Sequence, residues 1–225
     1  MTTARTKLIC HRGHHATCPE NSMDAFQRAA ESGADGIETD VRLAADGQLV
    51  LFHDRSVSDG HEVKELTKAQ LSAAAGHNVP TLEEALDAWP DLWWNVEIKS
   101  RDAAALTFDV LKRVSRQTEL LLISFWHDVI LDAKTHLEIE LGLTISHGPT
   151  DIWSVMPHNA ETQPNTIVWN YEFLDPRLVH WAHDHGLRCL AYNLLTSDDH
   201  HACQELGLAG VITDFPHMLV AEGKQ

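Results

Sequence analysis

Cysteine is scarce in this chain: four in 225 residues, at Cys10, Cys18, Cys189 and Cys203. No two are closely spaced, which argues against a cysteine-held metal knot, and their scatter is no disulfide framework. Basic residues are also few. Seventeen Lys and Arg stand against 33 Asp and Glu, a formal net charge of −16. A broad surface of that sign repels nucleic acid and anionic lipid, although it leaves room for a small phosphate pocket. Long apolar runs are missing too, so no segment reads as a membrane span. The opening stretch Met1-Thr2-Thr3-Ala4-Arg5-Thr6-Lys7 lacks the apolar centre of a secretory signal. These absences predict a reduced, cytoplasmic protein with no nucleic-acid partner and no stable membrane association. They leave the oligomeric state open.

What the chain does have is alternation. Apolar runs that read as strands occur at Lys7–His11, Gly36–Val41, Leu49–His53, Trp93–Ile98, Leu120–Ser124, Leu141–Ile145, Thr166–Asn170, Arg188–Tyr192 and Gly210–Thr213. Helical patterns lie between them at Ser22–Ser32, Leu82–Ala88, Ala103–Arg116, Trp126–Thr135, Pro176–His185 and Asp198–Leu206. One more helix is expected around Thr67–Ala75, within a polar excursion over 55–80. After Ile145, His147-Gly148-Pro149 and Met156-Pro157 break regular structure, so that unit's helix is expected to be short or irregular.

Strand–helix alternation predicts parallel βα units. A length of 225 residues suits one domain over 1–225, an α/β fold of the (β/α)8 TIM-barrel type. Nine strands are one too many for that barrel. The link from Arg42 to Gln48 is too short for a crossover helix, and it holds the hairpin pair Asp46-Gly47. Leu49–His53 is therefore expected as an extra hairpin strand after strand 2, antiparallel and outside the barrel. It carries His53 back to the mouth, where the carboxyl ends of barrel strands gather functional residues.

At or near those ends stand His11-Arg12-Gly13, Glu38-Thr39-Asp40, His53-Asp54 and Asn95-Val96-Glu97-Ile98-Lys99. Glu38 and Asp40 are two apart and leave the same face of their strand, as do Glu97 and Lys99. The apolar neighbours Ile37, Val41, Val96 and Ile98 mark these runs as buried, and buried acids need partners. Three acids facing one point repel each other unless a cation sits between them. Hard oxygen donors favour one divalent ion, Mg2+ or Ca2+. His11 and His53 are candidate proton carriers near neutral pH. Arg12 and Lys99 add the positive charge that an anion would call for. Together these groups predict metal-assisted phosphoryl chemistry. His14 and His15 read as loop histidines. Asn21 or Ser22 is the expected helix N-cap, and Glu20 stands near enough in sequence to reach the site. Trp126, Asn170 and Tyr192 sit at strand ends, as pocket wall or as packing.

These residues carry a resemblance. His11-Arg12-Gly13, Pro19-Glu20-Asn21-Ser22, Ala25-Phe26, Gly33–Val41, Asp46-Gly47, His53-Asp54, Pro80–Glu84 and Asn95–Lys99 follow one another in the order and spacing of the glycerophosphodiester phosphodiesterases, and the chain resembles that family. Fainter matches follow at Ser124-Phe125 and Gly210–Asp214. The resemblance implies a (β/α)8 barrel that hydrolyses small glycerophosphodiesters to sn-glycerol 3-phosphate and an alcohol. It implies metal-binding roles for Glu38, Asp40 and Glu97, catalytic roles for His11 and His53, and phosphate contact for Arg12 and Lys99. Two stretches depart from the family's pattern. Arg55-Ser56-Val57-Ser58-Asp59-Gly60 stands where an Arg-Thr-Thr run is usual, and Tyr192-Asn193-Leu194-Leu195 stands where an aromatic-Thr-Val-Asn run is usual. Both fall on the expected mouth and bear on the leaving alcohol. Two rival readings are a lysophospholipid-cleaving enzyme of the same chemistry and a non-catalytic barrel that binds phosphate-bearing ligands. A binding module has no need of a proton-transfer pair.

Overall fold

The computed structural model describes residues 5–114, 119–157 and 163–220. All nine expected strands form, with ends within two residues of expectation: β1 (Lys7–Cys10), β2 (Gly36–Leu43), β3 (Leu49–Leu51), β4 (Trp93–Ile98), β5 (Leu120–Ser124), β6 (Glu140–Ile145), β7 (Thr166–Asn170), β8 (Arg188–Tyr192) and β9 (Gly210–Thr213). The helices are α1 (Met23–Ser32), α2 (Lys68–Ala75), α3 (Leu82–Ala88), α4 (Ala104–Arg113), α5 (His127–His136), α6 (Pro176–Asp184), α7 (Ser197–Glu205) and a short α8 (His217–Val220) that has no counterpart in the sequence reading. The expected end of the helix after β4, at Ser115-Arg116, lies outside the described residues. Between β6 and β7 the described residues form only a 3-10 turn, Ile152–Ser154, where glycine and proline broke the pattern. No helix among the described residues is long and apolar enough to cross a membrane.

Parallel pairing runs from β2 through β4, β5, β6, β7, β8 and β9 to β1. β1 pairs with both β9 and β2, so eight strands close into a barrel. Among the described strands β3 pairs only with β2, antiparallel, with Val41 opposite Leu51 and Leu43 opposite Leu49, and Val50 adds a bridge to Thr81. It is the expected return strand outside the barrel. It stops two residues early for a physical reason. The Phe52 N–H still donates to the Asp40 carbonyl at 3.0 Å. The Asp40 N–H, which would return a bond to the Phe52 carbonyl, instead donates to Asn21 Oδ1 at 3.3 Å, so the ladder ends there. The His53 carbonyl accepts from Arg42 Nε at 2.9 Å and Nη2 at 2.8 Å.

The period of two along each strand sorts the side chains. Ile9, Trp93, Leu121, Ile123, Val168, Leu190 and Ile212 pack together inside the barrel. Ile37, Val41, Trp94, Val96, Ile98, Leu122 and Leu143 face the helices in a larger outer core. Gly36 is needed at the base, because a Cβ there would lie 2.4 Å from the Trp93 carbonyl oxygen. The excursion after β3 is less polar than its sequence suggests. Val57, Val63, Leu71 and Val79 form a separate small core with Ala44 and Val50 of the hairpin. That core fixes the loop which leaves His53. Local signals set the helix starts: Thr67, Thr81 and Thr196 each close a capping box.

Candidate active site

Because β2 and β4 are paired with Glu38 beside Asn95 and Asp40 beside Glu97, the inward positions of both strands converge at the mouth. One ligand atom each from Glu38, Asp40 and Glu97 lies within 4.8 Å of the others, and all three residues are buried. Burial first, then repulsion by Asp40 and Glu97, pushes the Glu38 carboxyl well above the usual range. Burial likewise raises Glu97, with Asp40 adding to it and Lys99 opposing. Burial pulls Asp40 the same way, but Lys99, Arg12 and His53 outweigh it and hold that carboxyl low. Lys99 Nζ stands 2.8 Å from Glu97 Oε1 and 3.4 Å from Asp40 Oδ1. Burial lowers the Lys99 ammonium's affinity for its proton, and the acids around it more than restore it.

Arg12 is held from three sides. Its Nη1 donates to both oxygens of Glu20 at 2.9 Å, and its Nε is 3.3 Å from Asp40 Oδ2. Its backbone N–H donates to Glu38 Oε2 at 3.1 Å. That backbone contact requires a left-handed turn: φ is 53° at Arg12 and 79° at Gly13. A Cβ on Gly13 would meet the Ala25 backbone at 2.7 Å, so only glycine lets β1 fold down onto α1 here. Asn21 is also left-handed, with φ 51°. Ser22, not Asn21, caps α1 by accepting from the Ala25 N–H. Asn21 turns inward instead. Its amide nitrogen donates to Asp40 Oδ2 at 2.8 Å, and its carbonyl oxygen accepts from the Thr39 hydroxyl at 2.7 Å. A strained backbone that aims side chains at one carboxylate marks a functional site.

Each of the two histidines has one nitrogen committed. His11 Nδ1 lies 2.7 Å from Asp214 Oδ1. Asp214 also meets His15 Nε2 at 3.0 Å. Burial raises the Asp214 carboxyl, but its bonds to His11 and His15 outweigh that and hold it far below the usual range. An ionised carboxylate only accepts, so both rings donate to it. His11 thereby keeps its Nε2 free of a proton when neutral, 3.9 Å from Glu38 Oε2. His53 Nδ1 likewise lies 2.8 Å from Asp54 Oδ1, leaving Nε2 for other work. Burial lowers the affinity of His53 for a proton, with Asp40 opposing and Lys99 and Arg12 assisting.

A cavity of about 190 Å³ joins these groups. His11, Arg12, Glu38, His53, Glu97 and Lys99 line one wall of it. Asp40 lies behind them, reached through Lys99 and Arg12. Phe125, Thr144, Val168, Tyr192 and Leu194 line the other wall. Every site residue expected from the sequence is therefore brought to one place. Tyr192 is pocket wall. Trp126 is 40% exposed and stacks on the Arg101 guanidinium at 3.8 Å, and Asn170 accepts from the Glu172 N–H in the turn after β7. Sequence reasoning missed Asp214 as the partner of His11 and read His15 as a mere loop histidine. The signal was available in barrel closure: β9 and β1 must be neighbours, so the residue after Thr213 falls beside the residue after Cys10.

Comparison with known proteins agrees with this geometry. The model of the glycerophosphoryl diester phosphodiesterase family matches residues 11–218. The chain belongs to that family. As such it is an enzyme that hydrolyses glycerophosphodiesters. A glycerophosphodiester phosphodiesterase of Caldanaerobacter subterraneus subsp. tengcongensis is 29% identical over 96% of this chain and 97% of its own length. Among solved structures, a glycerophosphodiester phosphodiesterase from Parabacteroides distasonis superposes with a TM-score of 0.82 at 26% identity, covering 95% of this chain and 94% of that one. A phosphodiesterase of Oleispira antarctica, in complex with the product sn-glycerol-3-phosphate, superposes with a TM-score of 0.84 at 25% identity, covering 96% of each chain.

Proposed function

We propose that this pocket cleaves a small glycerophosphodiester to sn-glycerol 3-phosphate and an alcohol. Glu38, Asp40 and Glu97 hold one divalent cation, Arg12 and Lys99 hold the phosphate, and His11 and His53 move the protons. The observation that carries this reading is the juxtaposition of three buried carboxylates with two histidines whose Nδ1 atoms are each taken by a separate acid. The product bound by the Oleispira antarctica relative supports the choice of substrate.

The residues fit a cation. Asp40 Oδ1 is buried and has no hydrogen-bond partner, and three carboxylates outnumber the two cations, Arg12 and Lys99, that face them. An all-oxygen set suits an ion of the Mg2+ or Ca2+ class. Such an ion, when bound, supplies charge neutralisation at a phosphoryl oxygen. The chain's own groups do the rest. Arg12 and Lys99 orient the phosphate in a setting fixed before substrate arrives. One histidine takes a proton from the nucleophile through Nε2, and the other returns one to the leaving alkoxide. Asp214 and Asp54 hold the two rings in the required tautomer.

Substitution tests the roles. His11→Ala and His53→Ala should each lower kcat on glycerophosphocholine by roughly 10²- to 10⁴-fold while metal binding persists. On a diester with an acidic phenol as leaving group, the variant lacking the general acid should recover much of its rate. The variant lacking the base should not. Near wild-type rates for both variants on glycerophosphocholine would show that the two assignments are wrong.

A second reading is cleavage of a lysophospholipid by the same chemistry. It draws on Phe125, Trp126 and Leu195, which are exposed after β5 and β8; turnover of a long-chain lysophospholipid decides it. The compartment we propose is the cytoplasm, without stable membrane association. The net charge of −16 supports it, as do the unpaired, buried Cys10, Cys189 and Cys203. Burial pushes those thiols up to about 12, about 11 and about 12, which keeps them unreactive. Tight sedimentation with anionic liposomes at moderate salt would contradict the membrane claim.

A further inference from the structure

Asp214 carries the hydrogen bond that orients His11, yet its own side chain is 44% exposed. Its place is set by the backbone of the turn that follows β9, and that turn hangs on the buried Thr213. The Thr213 carbonyl accepts from the His11 N–H at 3.0 Å, which ties the turn to the end of β1. The Thr213 hydroxyl accepts from the Phe215 N–H at 3.0 Å, which closes the backbone around Asp214. A hydroxyl is free to rotate, so this second bond depends on what holds the hydroxyl.

His200 of α7 holds it. The residue is fully buried. Its Nε2 lies 3.0 Å from Thr213 Oγ1, and its Nδ1 lies 2.6 Å from the Thr196 carbonyl oxygen. A carbonyl only accepts, so Nδ1 carries the proton. Burial lowers the ring's affinity for a second proton, which leaves Nε2 as an acceptor. The Thr213 hydroxyl therefore donates to Nε2 and turns a lone pair to the Phe215 N–H. Thr196 is itself fixed, because it starts α7 in a capping box with Asp199. Each bond from Thr196 to the turn thus has one direction, and the turn is braced against a helix.

An apolar side chain would fill this buried position without the cost of desolvating an imidazole, which needs a partner for each nitrogen. Both partners are present, and one of them is the residue before Asp214. We propose that His200 is a positioning residue for the reaction. Through Thr213 it holds Asp214 where that carboxylate fixes the tautomer and orientation of His11. The inference rests on the role given to His11 above.

A double-mutant cycle on glycerophosphocholine turnover tests it, with kcat expressed per folded enzyme. His200→Phe keeps a buried ring and removes both nitrogens. It should lower kcat about tenfold and leave KM within about twofold, because geometry is lost and substrate affinity is not. Asp214→Ala should lower kcat on its own. Adding His200→Phe to it should cost less than about twofold more, because the group that His200 positions is gone. A residue that only supports the fold would cost the same in both backgrounds. The hydroxyl gives a second route. Thr213→Ser should stay within about twofold of wild type, and Thr213→Val should lose about tenfold in kcat. If His200→Phe does not fold, Thr213→Val in the same two backgrounds decides. Full kcat in these variants, or an undiminished loss in the Asp214→Ala background, overturns the inference alone. Full kcat in Asp214→Ala itself overturns the role given to the His11–Asp214 pair, and the inference with it.

Discussion

The two walls of the barrel mouth are built differently. On the wall from β1, β2 and β4, charged side chains are buried and interlocked. Arg12 is clamped by Glu20, Asp40 and Glu38, Asp40 by Asn21, Arg12 and Lys99, and His11 by Asp214 from the neighbouring β9 loop. On the wall from β5 to β8, the lining is largely apolar or aromatic. Phe125 is 41% exposed and meets Tyr192 edge-on at 6.2 Å, and Leu195 is 62% exposed. Chemistry that moves charge needs groups fixed before the reaction, because reorganising them would add to the barrier. Contact with an alcohol needs only shape and surface. The first wall therefore reads as the reaction and the second as selection among substrates.

The sharpest test of that contrast pairs one residue from each wall. Asp214→Asn should lower kcat roughly 10- to 100-fold, because an amide that can also donate replaces the acceptor-only carboxylate that fixes the His11 tautomer. Phe125→Ala should act mainly on KM and on substrate choice. Equal losses of kcat from both would erase the distinction between the walls. A smaller effect is expected in stability. Asn21→Ala removes a buried group that satisfies both Asp40 and Thr39 and should cost about 1–3 kcal/mol, readable by denaturant unfolding. A cost under a few tenths would show that the clamp on Asp40 is loose.

The charged wall should also give the protein a pH dependence that responds to metal. Glu38 and Glu97 have raised folded-state pKa values. Below the ordinary carboxylate range both are protonated in folded and unfolded chains alike, and nothing is lost. As pH rises from that range through their raised values, the folded state alone must keep its protons or accept buried charge, so metal-free stability falls. Asp40, held low, works in the opposite direction but is one group against two. The increase in Tm caused by Mg2+ or Ca2+ should therefore grow from about pH 5 to pH 8 as the competing protons leave. A metal effect that is flat across that range would contradict the coupling. Least affected of all should be Leu195→Ser, within about 0.5 kcal/mol in stability, since it alters an exposed side chain.

The contrast between walls also explains what could be read in advance. Barrel strands were legible because their apolar runs are continuous, and the outer strand because Asp46-Gly47 leaves no room for a crossover. The acids were legible because Glu38, Asp40 and Glu97 interrupt runs that are otherwise buried. The clamps were harder to see. Asp214 is 203 residues from His11, and only closure of the barrel brings them together. Asn21 looks like an N-cap, and it takes the left-handed backbone at that position to turn it away from the helix. The satellite core of Val57, Val63, Leu71 and Val79 was hidden because its apolar residues are scattered through a polar stretch without a regular period.

The central claim is that the buried acids of β2 and β4 hold a divalent cation which the reaction needs. It is tested most directly by exhaustive removal of metal, followed by titration of Mg2+ or Ca2+ into the wild type and an Asp40→Asn variant, with bound metal and glycerophosphocholine turnover followed together. The account predicts loss of activity on chelation, its return in the wild type as about one ion binds per chain, and weakened binding with little recovery in Asp40→Asn. Full activity of the metal-stripped wild type in excess chelator would contradict it.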